Sequence, residues 1–284
     1  MTLRSISFGE ALIDEFDDRR VVAGAPLHVA AHLASLHWDS ALVSRVGDDA
    51  DGARVRRTLR DHHVDDRFVE TDPDLPTGTV TVNVDGEGVP TFTIDRPVAW
   101  DAIVGPDPVP NHDAVCFGTL PMRDPRARGA LERLLASSTG LRAGDANLRD
   151  PHWDGEAIEL LVGSSDLLKL SDTELSTVSD HLDTTGDPGD LTLLGPEWVC
   201  VTRGAEGAEL HHRSGGSWSV PGHAVTVVDT VGAGDAFLAG LVDGLVRNGD
   251  PEATLVAASM LAATVVARRG GLPVEPGGAP ATSQ

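Results

Sequence analysis

The chain predicts an α/β fold: a mostly parallel sheet with helices on both faces, carrying a small β lid. Three observations predict it. Strand-like and helix-like segments alternate almost throughout the 284 residues, the pattern of a parallel sheet whose crossovers are helices. Residues 77–94 break that rhythm with a two-residue alternation. Late in the chain, a glycine-bearing turn at 232–234 runs straight into a helical stretch.

The elements follow in order. Residues 6–13 read as a first strand, and 26–37 as a helix with Gly24 before it and Pro26 in its first turn. Residues 41–46 read as a strand and 51–61 as a helix. Short apolar strands are expected at 114–117, 141–146, 166–170 and 198–202. Helical stretches follow the first three of these, at 126–136, 155–162 and 173–181. Helices at 233–247 and 251–268 close the fold. The hairpin has arms at 77–84 and 90–94 around a turn at 85–88. With a second piece at about 14–22 it is expected to form the lid; an edge hairpin of the main sheet is the alternative. Residues 1–272 are thus expected to form one domain, and the Pro/Gly-rich tail at 273–284 to be disordered.

Composition excludes several function classes. Hydrophobic residues make up 40% of the chain, enough for a sizeable core. Lys plus Arg total 22 against 44 for Asp plus Glu, a formal charge of −22. Such a chain repels nucleic-acid phosphates and anionic membranes. Lys169 is the single lysine, and no glycine immediately precedes it, so it cannot serve a Walker A loop. No V-A-I-K, H-R-D or D-F-G string is present, which removes the protein kinases. Cys116 and Cys200 lie in apolar strand-like runs and are expected as buried thiols. No basic-then-apolar leader opens the sequence and no apolar run is long enough to span a bilayer, so a cytoplasmic protein is expected.

The chemistry concentrates at residues 226–240. An apolar run, 225–228, meets Gly232-Ala233-Gly234, and a helix begins. A helix start offers unpaired N–H groups and the positive end of a dipole, and the glycines let a ligand come close. This is an anion cradle. Asp235 sits inside it. A carboxylate is misplaced there for holding a phosphate statically, but is well placed to take a proton from a hydroxyl while the N–H groups of Ala233, Gly234 and Asp235 stabilise a transferring phosphoryl group.

The string Asp229-Thr230-Val231-Gly232-Ala233-Gly234-Asp235-Ala236-Phe237 resembles the signature of the ribokinase-like (PfkB) sugar kinases. Further segments extend the resemblance over nearly the whole chain. Phe8-Gly9-Glu10-Ala11-Leu12-Ile13-Asp14 looks like the family's first strand, whose terminal Asp, here Asp14, binds sugar hydroxyls. Ala23-Gly24-Ala25-Pro26-Leu27-His28-Val29-Ala30 resembles the G-G-A-P-x-N-x-A stretch, with Ala23 replacing the first Gly and His28 replacing an Asn that helps hold the sugar. His28 and His32 are also spaced i, i+4 as in H-E-x-x-H zinc sites, although Val29 stands where the Glu would be. Val46-Gly47-Asp48-Asp49-Ala50-Asp51-Gly52 matches a substrate-side loop. Asp48 is a substrate contact on that reading and a helix N-terminal acid on the plainer one.

Three segments look like the fructokinase branch: Arg96 to Asp101, Gly118-Thr119-Leu120, and Asp145 to Trp153 with Asn147 and Arg149 past a strand end. Arg149 is expected to meet either the sugar or the moving phosphate, and Arg96 to stand at the lid's return. Leu168-Lys169-Leu170-Ser171-Asp172-Thr173-Glu174 resembles the N-x-x-E element, in which Glu helps place hydrated Mg²⁺. Ser171 and Glu174 also spell a capping box, and the two roles can coexist. Lys169 neutralises either phosphate or nearby acids. Thr202, Gly204 and Gly207 resemble a turn that approaches the nucleotide.

The resemblance implies a ribokinase-like three-layer α/β/α sandwich with a β-sheet lid, acting as an ATP- and Mg²⁺-dependent sugar kinase. Fructose is the first substrate, with 2-keto-3-deoxygluconate, another sugar acid, or ribose as alternatives. Nucleosides fit less well, because aromatics are only 4% of the chain and Tyr is absent. A sugar sensor without turnover is the non-enzymatic alternative. The resemblance also implies a K⁺ ion near Asp229 and a homodimer through the lid.

The excess of Asp over Glu, 31 to 13, with one lysine, looks like salt adaptation. Molar salt shortens the screening length to about 3 Å and so relieves self-repulsion. The melting temperature is therefore expected to rise between dilute buffer and molar KCl; calorimetry at the two salt levels checks it.

Overall fold

The structure, a computed structural model, describes residues 2–84 and 90–274. The expected turn at 85–88 and the tail from 275 onward lie outside the described residues. Chain order is β1 (Arg4–Phe8), β2 (Leu12–Glu15), β3 (Arg20–Ala23), α1 (Ala25–Ser35), β4 (Asp39–Gly47), α2 (Ala50–Asp61), β5 (Val69–Asp72), β6 (Gly78–Val84) and β7 (Pro90–Ile94). There follow β8 (Ala114–Gly118), α3 (Pro125–Ser137), β9 (Leu141–Asp145), α4 (Gly155–Ser164), β10 (Leu167–Ser171), α5 (Asp172–Leu182), α6 (Pro188–Leu191) and β11 (Trp198–Thr202). The chain ends in β12 (Ala208–His212), β13 (Ser217–Val220), α7 (Ala233–Val246) and α8 (Pro251–Val266).

Among the described residues, nine strands form the main sheet in the order β13-β12-β11-β10-β9-β8-β1-β4-β5. All neighbours are parallel except at one edge, where β11, β12 and β13 run antiparallel. The alternation of side chains along each strand divides the core in two. Val115 and Phe117 of β8 face α3, α4 and α5 with Leu131, Ile158 and Val178. Ala114 and Cys116 of the same strand face α1, α7 and α8 with Leu33, Leu241 and Leu255. The result is three layers, helix on sheet on helix. Both cysteines are buried free thiols, and burial pushes each up to about 12. Among the described residues no helix is long and apolar enough to cross a membrane.

The first strand is shorter than its sequence suggests. Residues 6–13 do not form one strand, because Gly9 takes φ 144° where a side chain would press on Pro26 Cγ at 2.8 Å. β1 ends there. The chain re-forms as β2 in a second sheet, ordered β3-β2-β6-β7, with β2 and β6 parallel and the outer pairs antiparallel. Strands β5, β12 and β13 were not expected from the sequence: Val-Glu-Thr-Asp is short and polar, and the alternation of Ala-Glu-Leu-His-His and Ser-Trp-Ser-Val runs over only four residues each.

A buried ion pair fastens the returning end of the second sheet to the body. The Arg123 guanidinium donates to both Asp101 oxygens, at 2.7 and 3.1 Å, and to the carbonyl of Asp95 just past β7 at 2.7 Å. It also lies 3.8 Å above the Trp100 ring. Both side chains of the pair are at most 1% exposed. Deleting one member of such a pair strands the other charge in the interior. Arg123→Ala is expected to lower stability by about 3–5 kcal/mol in urea unfolding.

Candidate active site

Helix α7 begins on the cleft floor because Gly232, its N-cap, adopts φ 78°, ψ −2°, a left-handed conformation that glycine tolerates. A side chain there would also collide with the backbone of Gly271. The N–H of Ala233 turns back to the Thr230 carbonyl at 3.3 Å, so Ala233 is not a cradle donor as its position in the sequence suggests. The first-turn N–H groups of Gly234 and Asp235 have no acceptor within the helix and are the candidate donors to an anion. Beside Gly234 lies the Lys169 ammonium, 3.3 Å from where a β-carbon would stand. The segment leading to the turn is no strand. Val225, Val227 and Val228 are exposed, and the N–H groups of Val228 and Asp229 bond to the Val266 carbonyl at the end of α8.

Above this floor opens a cleft of about 400 Å³. Its wall brings together Asp14, Gly24, His28, Asn147, Arg149, Lys169, Gly232, Gly234 and Asp235, which the sequence spreads over more than 200 positions. Leu12, Asp14, Val80 and Ile94 of the second sheet form its roof. Gly24 is a glycine because a side chain would strike the Glu10 carbonyl. Asn147 takes a left-handed φ of 37° just past β9, which an Asn tolerates better than most residues.

Two cleft residues escaped the sequence analysis as functional groups. Asp145, at the end of β9, accepts two bonds of 2.8 Å from Lys169. Burial raises Asp145 to about 6 although Lys169 works against it. Burial also opposes the charge on Lys169, and the carboxylates of Asp145, Glu174 and Asp235 outweigh it, so the ammonium is held above its ordinary range. Glu10 follows β1; its Oε1 accepts from the Ala25 N–H at 3.2 Å, and burial, reinforced by the charge of Asp235, raises it to about 7. Asp14 is raised to about 6, again by burial. Both missed acids adjoin motif residues; their signal was a carboxylate at a strand end.

Other expected residues lie outside the cleft lining. Asp48 is exposed, and its neighbour Asp49 does the structural work, capping α2 through Gly52 and bonding both the N–H and the hydroxyl of Thr77 at the start of β6. Arg96 is exposed and donates to the Arg123 carbonyl. Glu174 closes the capping box with Ser171 and accepts from the Leu148 N–H at 2.8 Å, bracing the loop that carries Asn147 and Arg149. Thr202 ends β11 opposite Ser171. Gly204 and Gly207, both at positive φ, shape the β11–β12 hairpin turn. Asp229 accepts from the N–H groups of Val231 and Gly270, each at 3.0 Å. Among the described residues no three metal-ligating side chains cluster, so the His28/His32 spacing does not build a zinc site.

The model of the pfkB family of carbohydrate kinases matches residues 3–276. The chain belongs to this family. It is 33% identical over 262 residues to a fructokinase of Klebsiella pneumoniae, covering 86% of this chain and 85% of that one. It is 31% identical over 275 residues to an ATP-dependent ribose-1-phosphate kinase of Halopiger xanaduensis, covering 92% and 85%. Among solved structures, a sugar kinase of Pyrococcus horikoshii in complex with ATP superposes with a TM-score of 0.84 at 27% identity, covering 94% and 93%. Similarity at one level to enzymes named for different substrates leaves the family assignment firm and the sugar open.

The cleft of this pfkB carbohydrate kinase has a pH signature. Glu10 titrates at 4.5 in the unfolded chain and about 7 in the folded one. The folded state therefore binds the extra proton between those values, and stability from this group is full below pH 4.5 and lost as pH rises through 7. Wild type is expected to lose stability relative to Glu10→Gln across that window, by at most about 3 kcal/mol. Urea unfolding of both proteins at pH 4.5 and 7.5 checks it.

Proposed function

We propose that this kinase phosphorylates a hydroxyl of a neutral sugar at the expense of ATP, with fructose as the first substrate and Asp235 as the base. One observation carries the reading: Asp235, at the positive end of α7, faces a cleft whose other walls present Asp14, Asn147 and Arg149. The sugar oxygen attacks the γ-phosphorus while Asp235 accepts its proton. The bond to the β,γ-bridging oxygen breaks, and ADP leaves with the electron pair. The Gly234 and Asp235 N–H groups, with Lys169 behind them, stabilise the equatorial oxygens as charge shifts.

The balance of charge supports a neutral substrate. Glu10, Asp14, Asp145 and Asp235 line the cleft with the cations Arg149 and Lys169. Asp145 and Lys169 cancel as a pair and burial raises Glu10 to about 7, which leaves Asp14 and Asp235 against Arg149. A sugar acid or sugar phosphate would add negative charge to this surface, whereas carboxylates accept readily from vicinal hydroxyls. No Phe, Trp or Tyr side chain is among the described residues that line the cleft, which leaves a nucleoside base only the His28 ring and the Arg149 guanidinium as planar groups.

Magnesium fits as an ion carried on ATP. Glu174 engages both oxygens with N–H and hydroxyl donors and retains lone pairs for an ion's water, the role this reading gives it. An ion held through water by Glu174 would neutralise the phosphates and help orient the γ-phosphoryl group. Asp229 is the residue that would hold a monovalent cation, and its present bonds fix the loop beside the anion turn.

Asp235→Asn is expected to lose at least about 10²–10⁴-fold in kcat while keeping its melting temperature. Coupled ADP release measured over fructose, ribose, ribose 1-phosphate, 2-keto-3-deoxygluconate and a riboside names the substrate. Preference for either anionic sugar would overturn the charge argument. Turnover of the variant at the wild-type rate would overturn the mechanism.

A further inference from the structure

The two histidines of α1 stand one helical turn apart and hold different parts of the site. His28 Nδ1 lies 2.9 Å from Asp235 Oδ2. The acceptor is a carboxylate, so Nδ1 carries the hydrogen and donates it. His28 is 4% exposed. His32 Nε2 donates to the Gly271 carbonyl at 2.8 Å. Burial pulls His32 down to about 4, so its ring is neutral and the carbonyl selects the tautomer protonated at Nε2.

Gly271 links the two contacts. A β-carbon there would stand 2.7 Å from His28 Cε1 and 2.9 Å from its Nδ1, and its other near neighbour is Gly232, the cap of α7. The His28 ring is thus lodged between the Gly271 backbone and the Asp235 carboxylate. The wall of that slot is tied down twice, by His32 at Gly271 and by Asp229 at Gly270.

We propose that His28 is a positioning residue for Asp235, its Nδ1–H fixing one carboxylate oxygen and reserving the other for the sugar hydroxyl, with His32 holding the slot in which the His28 ring sits. This rests on the kinase reading above, with Asp235 as base. The family pattern has Asn at this position, on the sugar; here the ring is committed to the carboxylate. His Nδ1 and Asn Nδ2 are both bonded to Cγ, so an amide can reach the same oxygen. Leu shares the branching of Asn and offers no donor.

The test compares kcat, the sugar KM and the melting temperature of full-length His28→Asn and His28→Leu, with Asp235→Asn as reference. His28→Asn is expected to keep kcat within about fivefold, and His28→Leu to lose roughly 10- to 100-fold in kcat with the sugar KM within about threefold. Should the Leu variant not fold, His28→Ala carries the same comparison. A donor-less variant with wild-type kcat overturns the proposal. So does one whose loss lies in the sugar KM alone, which assigns His28 to the sugar, and so does an Asn variant as slow as the Leu variant. A wild type that turns over no sugar, or an Asp235→Asn as fast as wild type, ends the kinase reading itself. An active wild type with inert Asp235→Asn and unimpaired His28→Leu ends only the assignment of His28.

Discussion

A carboxylate held at the positive end of α7 is the constraint on which the site depends. Asp235 can occupy that place only because the turn before it is made by Gly232 in a left-handed conformation, packed against the Gly271 backbone with no room for a β-carbon. Every other part of the site is arranged around that turn. Lys169 approaches it from the sheet, through the space left by the missing side chain of Gly234. His28 approaches from α1, and the loop at 268–272 closes behind it. The turn thus collects one group from each of several elements, and the parallel sheet supplies the common edge at which they meet.

How a carboxylate, an ammonium and further acids share one small space follows from burial. Asp145 and Lys169 neutralise each other at 2.8 Å in the interior. Glu10, raised to about 7, need not be charged at all near neutrality. The floor therefore carries less negative charge than its residue list suggests. This makes it compatible with a phosphoryl group arriving, while leaving enough acceptor oxygens to bind hydroxyls.

Much of this was legible in the sequence because it is local. The turn at 232–235, the Pro26 helix start and the Ser171–Glu174 capping box each need only residues near one another, and steric and hydrogen-bonding rules fix them without the rest of the chain. What could not be read is what depends on distant partners. Nothing near Asp145 announces Lys169, and nothing near His28 announces Asp235, 207 positions on. The break at Gly9 is of the same kind: Gly9-Glu10 interrupts the strand pattern of residues 6–13 without saying where the chain goes, and Pro26 and Pro121, packed against the glycine, show why it leaves one sheet for another. Asp48 and Asp49 show the converse. Sequence left that acid pair between a substrate contact and a helix N-terminal role, and the fold gives Asp49 the cap.

The second sheet is assembled from two stretches that are not adjacent in the chain, β2–β3 and β6–β7. Its inner strands meet through Asp14 opposite Val80, and β3 passes by way of Gly24 directly into the turn of α1 that holds His28. An engineer who wished to change which sugar is accepted by grafting this cover from a relative would find no clean cut. The donor piece would have to include His28, whose ring bonds the Asp235 carboxylate proposed as base, so on that reading altering selectivity and preserving turnover are one design problem.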